Sequence, residues 1–531
     1  MGRNFGLSFR ILIFTFFILH GCGHSKPVDF APGEFACEFC KMNIVDIRFK
    51  SEILSPKGKI HHFDSIECML EWSKQNPVEV KTRWVTDFYR PAQWIALEKA
   101  FLLKSDRLPS PMGAYLSAYS SQEDLDRAKI EFGGEKTETL DVCPSCKWNS
   151  IKQALSDAKP HDTIRVGPGN YAEGLLLIDK PIHLIRVDYP IIDGLHKEHV
   201  FYVRANDVTI DGFQIQNSGT SFISEYAGIR VEESKNCRIL NNHFVNNTYS
   251  IYFAKGEGCL IENNIAEGNT KTEVSGGNGI HLWYSSHITI KNNLLKKHRD
   301  GLYLEFTTDS ILTGNTSTEN IRYGLHFMYS HRNQYFQNTF SNNQSGVAVM
   351  YSKGIRMKEN RFEKSWGRAS YGLLLKDISD SIIERNIFSG NTVGIYADEA
   401  SRNQFLKNNF SNNGWAINIL ASSEDNVFTE NNFIANYFDV ATNSQSSMNT
   451  FKDNYWGNYQ GYDLNRDGLG DVPFRPMKIS SIWINRYPEL VVLLASPVIK
   501  FLEVAERVFP VLTPKTLEDK TPSMKPFALN N

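Results

Sequence analysis

The stretch Gly324–Ser330 reads GLHFMYS, and 22 residues later Gly346–Ser352 reads GVAVMYS. Gly, Met, Tyr and Ser recur at the same offsets, and apolar residues fill the two alternate positions between Gly and Met. Four related motifs lie before and after these two at similar spacing, and they begin at Gly279, Gly301, Gly372 and Gly394. A recurrence of this kind indicates an array of structural repeats.

An asparagine marks the repeats a second time, and an aromatic residue often follows it two positions later. Successive asparagines are 22 to 29 residues apart, and they are Asn242, Asn264, Asn293, Asn315, Asn338, Asn360, Asn386, Asn408, Asn431 and Asn454. This period is too short for a pair of helices and fits one coil of a parallel β-solenoid. We expect the asparagines to form a ladder at a bend, where their amides bond the turn backbone and one another.

The predicted fold is therefore mainly β: a right-handed parallel β-helix with coils of about 22 residues, preceded by a small α+β domain. We place the α+β domain at residues 22–138, the solenoid at 139–480 and a C-terminal cap or docking segment at 481–531. A chain of 531 residues exceeds one compact core, which agrees with this division. The net charge of −2 and the pI near 6.7 argue against a nucleic-acid partner, which requires a basic face.

The N-terminus has the pattern of an export signal. Arg3 and Arg10 precede an apolar run at residues 11–19 that is too short to span a bilayer. The run ends in Leu19-His20-Gly21-Cys22, which resembles a bacterial lipobox with Cys22 as the lipidated residue; a plain secretory peptide is the alternative. We expect residues 1–21 to be a signal peptide, and the mature protein to be a lipoprotein attached to a membrane in the periplasm of a Gram-negative bacterium.

Seven cysteines follow Cys22, an odd number that leaves at least one unpaired in an oxidising compartment. Cys143 and Cys146 allow either a structural disulfide, which we favour, or a metal relay. Cys237 and Cys259 are 22 residues apart, so they should be neighbours on adjacent coils. A disulfide is geometrically allowed between them, but small buried side chains are the favoured interpretation.

The first domain concentrates soft metal ligands in three motifs: Cys37–Met42, His61–Met69 and Ser110–Gly113. Thiolates and thioethers together select Cu(I) over hard cations. Paired cysteines alone would also suit zinc or a disulfide, and the clustering of methionines favours copper. The candidate ligands are Cys37, Cys40, Met42, Met69 and Met112.

These motifs resemble the NosL family, lipid-anchored Cu(I) carriers of nitrous oxide reductase assembly. The resemblance covers most of residues 30–138, including Cys-x-x-Cys-x-Met, Phe-Asp-Ser-Ile-Glu-Cys-Met and Met-Gly. It implies that Cys40 and Met42 bind copper, with Met112 as a third ligand and Met69 as a weaker one. In that family a Gly commonly stands between the second Cys and the Met, where this chain has Lys41.

In the solenoid, the second and fourth residues after each repeat Gly should point outward on one sheet. The first outward column is Tyr252, His281, Tyr303, His326, Ala348, Leu374 and Tyr396, and the second is Ala254, Trp283, Glu305, Met328, Met350, Lys376 and Asp398. Glu305 and Asp398 lie four coils apart, about 19 Å, too far to cleave a glycosidic bond as a pair. His326, Met328 and Met350 offer either a transient Cu(I) site or a protein-contact patch.

The repeats around Gly324, Gly346 and Gly372 also resemble NosD, the periplasmic partner of a copper-linked ABC transporter, and the resemblance extends over roughly residues 145–526. The chain thus looks like a NosL–NosD fusion. This implies a copper chaperone, not an enzyme, for nitrous oxide reductase maturation. The implied partners are that reductase and NosY- and NosF-like permease and ATPase subunits. A carbohydrate-binding or cell-surface solenoid with a metal-binding head is the alternative.

Near the C-terminus an acidic loop has the ligand spacing of a calcium site, with Gly468 at its sixth position and Phe474, instead of Glu, at its twelfth. Its candidate Ca²⁺ ligands are Asp463, Asn465, Asp467 and Asp471. A turn without metal is the alternative.

Overall fold

The computed structural model describes residues 26–76, 80–105, 107–113, 115–133, 135–137, 139–221, 223–274, 276–444, 446–509, 513 and 515–528. The predicted signal peptide at 1–21 and the predicted lipidation site Cys22 lie outside these residues. The chain divides into two compact units between residues 138 and 139.

The first unit is an α+β domain with two small antiparallel sheets. One has the order β2-β1-β3-β4, from β1 (Ser51–Leu54), β2 (Ile60–Phe63), β3 (Thr82–Thr86) and β4 (Trp94–Ala96). The other has the order β6-β5-β7, from β5 (Phe101–Lys104), β6 (Leu116–Tyr119) and β7 (Glu135–Thr137). The helices are α1 (Ile66–Gln75), α2 (Gln122–Phe132) and a 3₁₀ turn, Leu97–Lys99. Serine side chains cap both α-helices: Ser65 accepts from the Cys68 N–H and Ser121 from the Asp124 N–H.

The second unit is the predicted parallel solenoid, built from three long sheets. Sheet A contains Thr139–Val142, Thr163–Val166, His183–Arg186, Thr209–Asp211, Arg238–Leu240, Leu260–Glu262, Thr289–Lys291, Ile311–Thr313, Gln334–Phe336, Arg356–Lys358, Ile382–Glu384, Gln404–Leu406, Val427–Thr429 and Thr450–Lys452. Sheet B contains Asn170–Tyr171, Ile191–Asp193, Gln214–Gln216, His243–Val245, Ile265–Glu267, Leu294–Lys296, Thr316–Thr318, Thr339–Ser341, Arg361–Glu363, Ile387–Ser389, Asn409–Ser411, Asn432–Ile434 and Tyr455–Trp456. Sheet C contains Leu176–Ile178, Phe201–Val203, Ala227–Glu232, Tyr249–Ala254, Ile280–Trp283, Asp300–Glu305, Tyr323–Met328, Ser345–Lys353, Tyr371–Ser379, Val393–Asp398, Trp415–Ile419 and Phe438–Thr442.

The repeat Gly is required because neighbouring coils approach closely at this position. A Cβ built on Gly346 would lie 2.4 Å from the Gly372 carbonyl oxygen, and one on Gly324 would lie 2.7 Å from that of Gly346. A side chain at either glycine would require a shift of the neighbouring backbone. The repeat Gly therefore permits this close approach in the coils where it occurs, whereas Ser250 and Ala416 occupy the same position in two other coils.

The predicted asparagine ladder is present. The side-chain oxygen Oδ1 of Asn338 accepts from both the backbone N–H and the side-chain amide of Asn315, and the same arrangement recurs from Asn242 to Asn454. The aromatic residue two positions later points inward. It stacks on its counterpart in the next coil, with ring centroids 4.2 to 5.6 Å apart along Phe340, Phe362, Phe388, Phe410, Phe433 and Trp456.

Two further asparagine ladders run along other bends, and the sequence analysis missed both. One links Asn391, Asn413 and Asn436, and the other links Asn403, Asn426 and Asn449. Cys237 and Cys259 take a position equivalent to the second of these. Both are free and buried, and the Cys237 N–H donates to the Cys259 sulfur at 3.1 Å. Both cysteines are therefore small buried side chains at this bend, which is the interpretation favoured from the sequence.

The two ends of the stack are covered. At the start, Cys143 and Cys146 form the favoured disulfide, and α3 (Ile151–Asp157) packs on the first coils. At the other end the chain continues through α4 (Ile479–Arg486), a 3₁₀ helix (Pro488–Leu493) and α5 (Pro497–Val508). It then returns over the last coil, where Asp519 pairs with Phe451. None of the described helices combines the length and the apolar composition needed to cross a bilayer.

Asp519 terminates the asparagine ladder. Its carboxylate accepts from the backbone N–H and the side-chain amide of Asn454 at 3.0 Å, and from the indole N–H of Trp456 at 3.1 Å. Asp519 has no exposed surface, so water cannot replace it.

We expect Asp519→Ala to lower the free energy of unfolding by at least about 2 kcal/mol, because it leaves three buried donors without an acceptor. Asp519→Asn keeps one acceptor oxygen and should recover most of the loss. Chemical denaturation of the two variants measures the difference. Equal stability of Asp519→Ala and the wild type would show that the tail does not close the ladder.

Candidate metal centre

Three thiols and one carboxylate meet at the centre of the first unit. Among the described residues, one group of at least three His, Cys, Asp or Glu side chains has its ligand atoms within 4.8 Å of one another: Cys37, Cys40, Asp64 and Cys68. The sequence analysis placed Cys37 and Cys40 in the site and left out Cys68 and Asp64. Both lie in the quoted His61–Met69 motif, but only the fold shows that this motif contacts the Cys-x-x-Cys turn.

A tight turn presents the first two cysteines. The Lys41 N–H donates to the Cys37 carbonyl at 3.0 Å, and the Cys37 N–H donates to the Met42 carbonyl at 2.8 Å. Lys41 has a φ of 65°, the left-handed conformation that glycine adopts without steric cost. This explains why a Gly suits this position in the family that the motif resembles.

The corner between β2 and α1 supplies the other two groups. Asp64 follows β2 and accepts from the Cys40 thiol at 3.2 Å. Ser65 caps α1 and holds Cys68 in its first turn. Glu38 fixes the turn against β2, because its N–H donates to the His62 carbonyl at 2.9 Å and its carboxylate contacts His61 at 2.8 Å.

The thiols differ in their readiness to ionise. A hydrogen bond from the Cys68 thiol lowers the pKa of Cys37 to about 6, and the same interaction raises the pKa of Cys68. Burial raises the pKa of Cys40 to about 11. The shared hydrogen bond therefore favours loss of the proton from Cys37 over loss from Cys68, and the thiolate is the form that binds metals.

The candidate methionines separate by exposure. Met42 is 49% exposed and Met112 is 41% exposed, whereas Met69 is fully buried in the apolar core. Glu67 of α1 anchors the Met112 loop, since its carboxylate accepts from the Ser110 hydroxyl at 2.5 Å and from the Leu116 N–H at 3.1 Å. The exposed thioether of Met42 therefore lies on the turn that carries Cys40, and that of Met112 lies on the loop held by α1. Met69, in contrast, is surrounded by core side chains and has the environment of a packing residue.

On the solenoid, the predicted register is confirmed. Met328 pairs directly with Met350 on adjacent strands of sheet C, and the Tyr303 hydroxyl lies 3.4 Å from the Met328 sulfur. Beside them runs an exposed row of stacked rings with centroids 4.5 to 5.3 Å apart: Tyr284, Phe306, Tyr329 and Tyr351. The methionines and these rings form one apolar surface.

The first column has the predicted register, but much of it is covered: Tyr252 is 5%, His281 7% and Ala348 0% exposed. His326, a predicted site residue, is only 5% exposed. Its ring packs against those of Tyr303 and Tyr323, at 4.9 and 5.0 Å. The Arg322 guanidinium, which can only donate, lies 3.4 Å from His326 Nδ1. Nε2 therefore carries the proton in this arrangement and offers a donor instead of a metal-binding lone pair.

The outward carboxylates were only partly predicted. Glu305 and Asp398 are four strands apart in sheet C, as expected, and Asp398 pairs with Lys376 at 2.9 Å. However, Glu225 and Glu232 both contact the Arg230 guanidinium, at 3.8 and 3.6 Å. Two acidic groups therefore do approach each other on this face. The sequence pattern missed them because Glu225 lies in an insertion outside the repeat.

In the acidic loop near the C-terminus, the side-chain oxygens accept hydrogen bonds from the loop's own backbone N–H groups. Asp463 accepts from the N–H groups of Arg466, Asp467 and Gly468, and Asp471 accepts from that of Leu464. Asn465 and Asp467 also accept from N–H groups within the loop. These hydrogen bonds do not exclude a cation, because each acceptor oxygen keeps another lone pair. However, Asp463, Asp467 and Asp471 do not form one of the described groups whose ligand atoms lie within 4.8 Å of one another, so the geometry gives no support to the predicted Ca²⁺ site.

The chain matches two family models. Residues 191–315 and 271–461 match the family described as periplasmic copper-binding protein (NosD), and residues 27–146 match NosL. Two similar proteins are both named probable ABC transporter binding protein NosD. The one from Stutzerimonas stutzeri is 27% identical over 381 residues, covering 68% of this chain and 86% of that protein. The one from Pseudomonas aeruginosa is 28% identical over 376 residues, covering 67% of this chain and 87% of that protein.

Two solved structures are among those that are similar to parts of this chain. The copper chaperone NosL from Shewanella denitrificans is 18% identical and covers 21% of this chain and 91% of its own, with a TM-score of 0.19. The A-module of the mannuronan C-5 epimerase AlgE6 from Azotobacter vinelandii is 12% identical. The match covers 57% of this chain and 92% of that module, with a TM-score of 0.43.

We expect Lys41→Gly to raise the free energy of unfolding by up to about 1 kcal/mol, because it removes a side chain from a left-handed backbone position. Lys41→Ala removes the charge but keeps the Cβ, so it should give little or no gain. Chemical denaturation of both variants tests this. An equal gain from Lys41→Ala would assign the effect to charge instead of backbone conformation.

Proposed function

We propose that this chain, which belongs to the NosD family of periplasmic copper-binding proteins and carries a NosL domain ahead of its solenoid, handles Cu(I) during maturation of the copper sites of nitrous oxide reductase. The observation that carries the proposal is the thiol cluster of Cys37, Cys40 and Cys68 with exposed thioethers on the adjoining loops. This donor set is soft and suits Cu(I).

In the first domain, Cys40, Met42 and Met112 would bind copper at the surface. Cys40 is partly exposed and both methionines are more than one-third exposed, so an acceptor protein could reach the ion. Cys37 and Cys68 are buried beneath Cys40 and would form an inner pair of thiol ligands. The domain would thus act as a carrier, not as an enzyme.

In the solenoid, Met328 and Met350 would form a transient contact for the arriving copper. Their partial exposure and the adjacent row of aromatic rings fit a surface that meets another protein domain. His326 would support this spot as a buried donor beside Tyr303, and its tautomer disfavours a direct role as ligand.

The C-terminal helices would dock the protein on an ABC transporter. α5 exposes three large apolar side chains, Val498 (66%), Phe501 (72%) and Val504 (53%), and Val492 on the preceding 3₁₀ helix is 85% exposed. Such a surface on one segment is typical of a protein interface. The similar proteins named as ABC transporter binding proteins support an ABC transporter as the partner. We take that transporter to have a permease and an ATPase of the NosY and NosF type. A lipid on Cys22 would hold the complex at a membrane in the periplasm.

We expect Cys40→Ser combined with Met42→Leu to weaken Cu(I) binding by the full chain at least tenfold, because it removes one thiolate and one thioether. Anaerobic competition with a chromophoric Cu(I) chelator measures this. Met69→Leu is the matched control, since it changes a buried methionine of similar volume and should leave the affinity unaltered. An unchanged affinity in the double variant would contradict the site.

We expect Met328→Leu combined with Met350→Leu to change stability by less than about 1.5 kcal/mol, because the replacements conserve volume. The copper content of nitrous oxide reductase from cells carrying this variant should nevertheless fall by half or more. Met357→Leu, in the buried core of the same solenoid, should leave the copper content unchanged. A fully copper-loaded reductase with the double variant would show that these methionines are surface packing.

A further inference from the structure

A cleft of about 380 Å³ opens on the outward side of sheet C, close to the start of the solenoid. Its lining includes His199, Tyr202, Glu225, Tyr226 and Arg230. Its lining residue Arg230 lies four strands of sheet C away from Met328 and five from Met350, and the copper proposal gives the cleft no role.

Aromatic rings form one side of the cleft. The His199 ring lies 5.5 Å from that of Tyr202 and 5.3 Å from that of Tyr226, at angles of 36° and 75°. The Arg204 guanidinium covers the Tyr202 ring at 5.7 Å. All three rings are partly exposed, so part of their apolar surface is available to a ligand.

A hydrogen-bonding network forms the other side. Arg230 contacts Glu225 and Glu232, and the Tyr202 hydroxyl donates to Glu232. The Arg230 guanidinium also lies 4.7 Å over the Tyr252 ring, which fixes its plane. Planar groups with several donors and acceptors, held in place before a ligand arrives, are suited to binding vicinal hydroxyl groups.

His199 adds a neutral donor. Its Nδ1 accepts from the Ala227 N–H at 3.1 Å, so Nε2 carries the ring proton. Burial lowers the pKa of His199 to about 4, which keeps the imidazole uncharged at neutral pH.

The cleft continues into a row of polar rings along the axis. Tyr202, Arg230, Tyr252, His281, Tyr303 and His326 occupy successive in-register positions of sheet C. His281 is 7% exposed and His326 5% exposed, yet Nε2 of neither has a hydrogen-bond partner among the residues that the structure describes. Both imidazoles pack against neighbouring tyrosine rings, which cover them.

We propose that this cleft binds a saccharide, with a sugar ring against Tyr202 and Tyr226 and its hydroxyls bonded by Glu225, Arg230 and His199. Three carboxylates, of Glu198, Glu225 and Glu232, face two guanidiniums, of Arg204 and Arg230. This balance favours a neutral saccharide over a uronate polymer.

Calorimetric titration of the full chain with three tetrasaccharides tests the proposal: chitotetraose, cellotetraose and tetragalacturonate. We expect at least one neutral tetramer to bind with a Kd below about 1 mM, and tetragalacturonate to bind at least tenfold more weakly. No binding of either neutral tetramer up to about 5 mM, or tighter binding of the uronate, would overturn the assignment.

Two variants locate the site. Tyr202→Ala should weaken binding at least tenfold, whereas Tyr396→Ala, in the same outward column at the far end of the sheet, should have no effect. Glu225→Gln lies on a surface insertion and tests the network independently, should Tyr202→Ala fail to fold. Equal affinities of Glu225→Gln, Tyr396→Ala and the wild type would place the saccharide elsewhere. Cu(I) binding to the first domain should be the same in all variants. A failure of the saccharide proposal can therefore be distinguished from a failure of the copper proposal.

Discussion

The distance between neighbouring coils is the constraint on which the solenoid depends. Parallel strands must lie about 4.8 Å apart to share backbone hydrogen bonds. The repeat Gly permits this approach in sheet C, and the asparagine ladder maintains it at the bend, because each amide bonds both the backbone and the amide of its neighbour. With the spacing set, residues about 22 positions apart become neighbours in all three sheets. The columns of side chains on the surface follow from that register.

The first unit depends on a different constraint, the corner between β2 and α1. Asp64 and Cys68 lie on either side of the Ser65 cap. The start of the helix therefore fixes both the Asp64 carboxylate and the Cys68 thiol in the same cluster of ligand atoms. Glu67, on the same turn, holds the Met112 loop. One helix N-terminus thus positions candidate ligands from two separate parts of the sequence. A change at Ser65 would disturb all of them together.

The repeat was predictable from sequence because its information is local. Each Gly, Asn and inward aromatic residue lies within one coil, and stacking extends the pattern without further input. What was missed depends on contacts between distant segments. Cys68 meets Cys37 only through the fold, Asp519 reaches Asn454 from 65 residues away, and Glu225 belongs to an insertion without a repeat position. Outward direction was also mistaken for exposure at His326, because large neighbouring rings cover it.

The sulfur ligands of the proposed copper route differ in charge and in burial. Cys37 and Cys68 are buried thiols, and at least one must lose a proton to bind metal, whereas Met42 and Met112 are exposed and neutral. Thiolates hold Cu(I) more strongly than neutral thioethers do because they add charge attraction to the same soft donor character. Met328 and Met350 offer thioethers alone, so copper passing from the first domain to the solenoid would move to a weaker site. Such a step proceeds only if a later acceptor binds copper more tightly or if an energy-consuming partner drives it. The thioether pair therefore suits a short-lived contact on the route and not a store, and the apolar C-terminal helices are where a transporter could supply the drive.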